Sequence, residues 1–196
     1  MPIEIMGNTN NPSVLVIGVF HGDEPQGDPI IRKYVKQNPD TSLLLIPCLN
    51  EYGMKANKRT NANGVDLNRN FPTKNWGSSP STDFFAGNAP ASEAETKFVI
   101  NLVEKYSPKL ILTLHAPYRV VNYDGPAEKI AKKIAEIIGY PVEASIGYPT
   151  PGSFGTWAGV ERNIPIITLE LDEKEGIKSL DISVSNIFKM LENYQG

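Results

Sequence analysis

Cysteine and histidine are scarce in this chain, numbering one and two among 196 residues. A single cysteine excludes an intramolecular disulfide and fits a reducing compartment. No apolar run approaches the ~20 residues that a bilayer-spanning helix needs. The opening Met-Pro-Ile-Glu-Ile-Met-Gly-Asn holds neither a positive region nor a long apolar stretch, so no signal peptide is expected. Basic runs are missing too, and a net charge of −3 leaves no nucleic-acid footprint. There is no Gly-x-Ser-x-Gly elbow for a serine hydrolase, and no internal repeat or low-complexity tract. These absences leave one domain over residues 1–196, expected to be cytoplasmic and to contact neither membrane nor nucleic acid. The chain is silent on oligomeric state.

The elements that are there alternate. Val14-Leu-Val-Ile-Gly-Val-Phe20, Ser42–Pro47, Leu110–Leu114 and Pro165–Leu171 are apolar runs of buried-strand length, with weaker strands expected at Ile3–Met6 and Val142–Ile146. Ile30, Ile31, Tyr34 and Val35 share one helical face between the first two runs, which makes a βαβ crossover and implies parallel pairing. Ser92-Glu-Ala-Glu95 reads as a capping box opening a helix striped by Phe98, Val99, Leu102, Val103 and Tyr106. Another helix follows Gly125-Pro126 and stops at Gly139, and Leu180–Tyr194 carries the last. Between Asn50 and Ala91 no periodicity is visible, and Gly147–Gly159 has the composition of a lid. The expected architecture is α/β, a three-layer sandwich around a mainly parallel mixed sheet.

Chemistry concentrates where strands should end. His21 and Glu24 follow the first run at once, and an imidazole and a carboxylate at that spacing can both reach one Zn²⁺. Two ligands do not hold a catalytic metal, and His115 closes another apolar run. In the irregular stretch, Arg59 and Arg69 with Asn68 suit a substrate carboxylate, which arginine grips with two hydrogen bonds. Cys48 beside Pro47 reads as a packing residue.

Taken together, His21-x-x-Glu24, Asp-Leu-Asn-Arg-Asn-Phe-Pro at 66–72, the strand-end His115, Ser-Glu-x-Glu-Thr and a late Leu-Glu resemble the zinc carboxypeptidases, with most likeness to the small bacterial murein peptide amidases. The resemblance spans residues 14 to 171. It implies one Zn²⁺ held by His21, Glu24 and His115, Glu170 as general base, and Arg59 as the group that polarises the scissile carbonyl. It further implies Asn68 and Arg69 on the terminal carboxylate, Asp66 bonded to the first histidine, and Tyr148 as a mobile tyrosine with Tyr118 and Tyr123 as rivals. Side-chain specificity would lie among Phe154, Gly155 and Thr156. The implied reaction is hydrolysis of the γ-D-glutamyl–meso-diaminopimelate amide of a murein tripeptide during cell-wall recycling. Alternatives are an L-specific carboxypeptidase, an N-acyl amino acid deacylase of the desuccinylase or aspartoacylase type, and a metal-binding module without turnover.

Overall fold

The computed structural model describes residues 3–77, 83–144 and 149–196. Its strands are β1 (Met6–Gly7), β2 (Val14–Gly18), β3 (Leu44–Ile46), β4 (Leu110–His115), β5 (Val120–Asp124), β6 (Val142–Glu143) and β7 (Ile166–Glu170). They form one sheet in the order β1-β3-β2-β4-β7-β5-β6. Neighbours pair in parallel except β1 with β3 and β5 with β7, so the sheet is mixed and mainly parallel.

The central strands β2, β3 and β4 are buried throughout, as a parallel sheet covered on both faces demands. Along β2, Val14 and Val16 face a layer made by helices α1 (Gly27–Gln37), α4 (Glu128–Ile138) and α5 (Ile177–Leu191). Leu15 and Ile17 face the opposite layer, built around α3 (Ala94–Tyr106). The crossover from β2 through α1 to β3 and the stop of α4 at Gly139, with φ 74°, agree with the sequence. No helix among the described residues is long and apolar enough to cross a membrane.

Four local expectations change. The Asn50–Ala91 stretch holds a short helix, α2 (Glu51–Ala56), capped by Asn50 Oδ1 accepting from the Gly53 N–H, and a 3₁₀ turn at Leu67–Arg69; six residues are too few to display a helical period. α3 starts at Ala94 without the capping box, because Ser92 Oγ donates to Glu93 Oε1 at 2.6 Å. β5 follows His115 unannounced and packs Tyr123 against the core, which removes that tyrosine as a lid. The described part of the stretch read as a lid, 149–159, is largely core. Gly155–Val160 forms a π-helical turn, and Phe154 and Trp157 are buried against Phe71 with centroids 4.8 and 5.7 Å away.

Candidate metal centre and active site

β2, β4 and β7 are consecutive parallel strands, so their carboxyl ends lie side by side. Open α/β sheets bind ligands at such ends. His115 closes β4 and is the register partner of Glu170, which closes β7. β2 stops at Gly18, level with Leu114. The chain then turns through Val19, a buried β-branched residue at φ 53°. That backbone is strained for such a side chain. It is pinned because the carbonyls of Gly18 and Val19 accept from the N–H groups of Leu49 and Asn50 at 3.1 and 3.0 Å.

This turn brings the His21 ring edge-on to His115, with centroids 4.9 Å apart. The Glu24 carboxylate spans both rings, Oε1 lying 2.8 Å from His21 Nδ1 and Oε2 2.8 Å from His115 Nδ1. One donor atom from each of the three residues falls within 4.8 Å of the others. Phe20 stacks on the His115 ring at 5.6 Å and steadies its plane. Two imidazole nitrogens and one carboxylate oxygen converging at the edge of an open groove fit a catalytic zinc, which would take the deprotonated imidazoles and keep a position for water. Glu170 stands beside them, buried, and its Oε2 has no hydrogen-bond partner among the described residues.

Asp66 links this trio to the arginines. Fully buried, its Oδ1 lies 3.0 Å from His21 Nε2 and accepts from the Asn68 N–H at 2.8 Å. Its Oδ2 accepts from Arg59 Nε at 3.0 Å. With Nε2 held this way, Nδ1 is the nitrogen left to face Glu24, as an outer hydrogen bond to a metal-binding imidazole usually arranges. Arg69 Nη1 donates to the Asn68 carbonyl at 2.7 Å, and the Phe84 ring lies over both guanidiniums, 5.0 Å from Arg59 and 5.7 Å from Arg69.

The charges are strongly coupled. Burial disfavours charge on His21, yet Glu24 and Asp66 outweigh it and raise the ring to about 9. Burial likewise opposes ionisation of Glu24 and Asp66. The imidazoles override it for Glu24, and His21 and Arg59 for Asp66, so both carboxyls stay far below the usual range. Glu170 differs: burial pushes its pKa up, the attraction of His115 opposes this, and the charge on Glu24 adds to the rise.

Two supports were not legible beforehand. Asn50, almost fully buried, donates through Nδ2 to the carbonyls of Phe20 (3.3 Å) and Arg59 (3.1 Å). Gly22 lies directly on α2, where a Cβ would overlap the backbone of Gly53 and Met54. Replacing Gly22 with Ala is therefore expected to cost about 1–3 kcal/mol of stability by overpacking and to loosen the His21–Glu24 turn. Denaturant unfolding and metal titration would read both effects; an unchanged metal affinity would remove Gly22 from the support of the site.

The asparagine-rich stretch is cross-linked, and Asn61 and Asn70 within it are buried. Asn70 Nδ2 donates to the carbonyls of Ala86 (2.7 Å) and Ala89 (3.1 Å) and to Ser92 Oγ (3.0 Å). Asn61 and Asn63 each donate to Glu93 Oε2, at 2.8 and 2.7 Å. Among the three residues expected to set specificity, Phe154 is buried in the core and only Gly155 lines the groove. Tyr148 lies outside the described residues; Tyr118 is exposed at the groove edge.

A sheet whose central strand ends gather a two-histidine, one-carboxylate trio, a second glutamate and two arginines around a groove of about 560 Å³ defines a metal-dependent hydrolase. The chain belongs to the zinc carboxypeptidase family, whose model matches residues 3–134. It is 32% identical over 193 residues to murein peptide amidase A of Escherichia coli, covering 91% of this chain and 77% of that protein. It is 31% identical over 189 residues to murein peptide amidase A of Vibrio campbellii, covering 87% and 72%. The crystal structure of murein-tripeptide amidase from Escherichia coli O157 superposes with a TM-score of 0.84 at 27% identity, over 95% of this chain and 84% of that one. The protein is thus a hydrolytic enzyme on a carboxypeptidase fold, of a family that takes zinc.

Proposed function

We propose that this protein is a murein peptide amidase that cleaves the γ-D-glutamyl–meso-diaminopimelate amide, acting in the cytoplasm on recycled wall peptides with one zinc ion and a single catalytic domain. The observation that carries the reading is the meeting of His21, Glu24 and His115 beside Glu170, in the groove that Arg59, Asn68 and Arg69 also line. The likeness to two murein peptide amidases over most of their length supports the substrate class.

In this reading His21, Glu24 and His115 are the zinc ligands. When bound, zinc would supply Lewis acidity, making water nucleophilic near neutral pH and polarising the scissile carbonyl. Asp66 fixes the His21 ring and the Arg59 guanidinium with a single carboxylate. Arg59 donates hydrogen bonds to the oxygen that gains negative charge in the transition state. Glu170 takes the proton from the attacking water and hands it to the departing amine; a raised pKa suits a group that must do both. Asn68 and Arg69 hold the terminal carboxylate and so place the scissile bond. Tyr148 stays a candidate for the mobile tyrosine.

If Arg69 grips that carboxylate, Arg69→Ala should raise KM for carboxylate-ended peptides about 10–100-fold, the worth of a charged hydrogen bond, and change kcat little. The same KM in both enzymes would remove that role. The function itself is tested by incubating metal-loaded protein with L-Ala–γ-D-Glu–meso-diaminopimelate and assaying free diaminopimelate. Release supports the amidase; cleavage of ordinary C-terminal L-peptides alone would point to an L-specific carboxypeptidase.

A further inference from the structure

β5 and β7 run antiparallel, with Val120 opposite Glu170, Asn122 opposite Thr168 and Asp124 opposite Ile166. Side chains two apart share a face of a strand. Glu170, Thr168, Asn122 and Asp124 therefore form one polar row, and all four line the groove. Asp124 stands four residues along from the level of Glu170, about 14 Å at ~3.4 Å per residue.

Nothing in the mechanism uses Asp124. Its carboxylate has no hydrogen-bond or ion-pair partner among the described residues, and burial by itself raises its pKa. Two glycines of the π-helical turn make its position possible. A Cβ on Gly155 would overlap Asp124 Oδ2, and one on Gly159 would press on the Asp124 side chain. Asn122, by contrast, is occupied, its Nδ2 donating to the Glu143 carbonyl at 2.8 Å. A half-buried carboxylate without a cation is costly unless a ligand brings one. The same groove carries Arg59 and Arg69, so it offers cations for one part of a substrate and an anion for another.

We infer that Asp124 determines side-chain specificity by receiving the ammonium at the far end of a long aliphatic side chain on the residue that hydrolysis releases. The inference rests on the carboxypeptidase-type use of the groove proposed above, and it moves the determinant from the 154–156 stretch to β5. Gly155 contributes by its lack of a side chain. The four-residue spacing from Glu170 suits a long side chain, since a short one anchored near Glu170 would leave its ammonium nearer Thr168 than Asp124. In meso-diaminopimelate the distal amino group is the matching cation, borne on a carbon that also carries a carboxylate.

The test compares kcat/KM of metal-loaded wild type and D124N on two substrate pairs. One pair is the murein tripeptide and its analogue lacking the distal amine; the other is an L-peptide ending in lysine and its norleucine counterpart. Wild type should prefer the amine-bearing member at least tenfold in a pair it cleaves. D124N should lose about 10–100-fold on that member and little on the analogue. Asp124→Ser should reproduce the contrast should the Asn variant fold poorly. Equal losses on both members, or a wild type without preference for the amine, would overturn the inference. Cleavage of the lysine pair alone, with the same dependence on Asp124, would sink the murein reading and leave this inference standing. Tripeptide cleavage indifferent to Asp124 would do the reverse.

Discussion

Glu170→Gln should lower kcat about 10²–10⁴-fold, the usual contribution of a positioned acid–base group, with metal content unchanged. Glutamine keeps the size and polarity of the side chain but carries no charge and cannot take a proton. Glu170 lies outside the Glu24 pair, so the variant leaves the contacts between Glu24 and both histidines intact. A second consequence has the opposite sign. Burial raises the folded-state pKa of Glu170, so its ionised form is disfavoured by folding. Its favourable contribution is full below the unfolded carboxyl pKa and vanishes as pH rises through the folded value. In chelator-treated protein at neutral pH, the variant should therefore melt above wild type, and the difference should close in acid. A crippled enzyme with a raised Tm is the signature of a residue kept for chemistry at the expense of stability. Near-normal turnover would instead refute its role as base.

Glu24→Gln should bring bound zinc from about one ion per chain to near none, and activity to background with it. The carboxylate touches both imidazoles, so its loss removes one donor and the anchor of two others. Metal-free protein gives an independent readout. Wild-type His21 is raised to about 9 by Glu24 and Asp66 against the effect of burial. A raised imidazole contributes stability that is complete below the unfolded value of about 6.5 and is lost as pH climbs to the folded one. Melting of chelated wild type should fall between pH 6.5 and about 9, and Glu24→Gln should flatten that slope. Inductively coupled plasma analysis and a pH series of melting curves check the two halves. Full zinc occupancy in the variant would eliminate Glu24 as a ligand.

Most of the sheet was legible in the sequence because a strand buried on both sides must be mainly apolar, and β2, β4 and β7 are, apart from Thr113, Thr168 and the site residues that close β4 and β7. The meeting of His115 and Glu170 followed, since parallel strands that end together bring their last residues together, and His21 joins them through the turn just past the end of β2. β5 escaped because Val-Val-Asn-Tyr-Asp mixes core and groove residues, and its polar members face the cavity that hides them. The asparagines at 61 and 70 carry the composition of a solvated loop, yet they are buried and bonded. Composition reports polarity; it does not report where a polar group finds its partner. Phe154 and Trp157 misled in the other direction, aromatic residues among glycines that belong to the core. How Arg59 and Arg69 come under one ring depends on the fold of that entire stretch, and spacing alone could only place them near each other in sequence.

The insertion of β7 between β4 and β5 bears on how the molecule is made. A ribosome that has released residues up to 165 has already delivered every member of the His–Glu–His trio, but the middle of the sheet is still a gap flanked by two open edges. Unpaired edges recruit stray strands, so the nascent chain is sticky at the place where its active site will form. Only when β7 slots home does the proposed base arrive, and the gap closes in the same step. The proposed base and the protection of both edges are thus acquired together, after the His–Glu–His trio has been delivered.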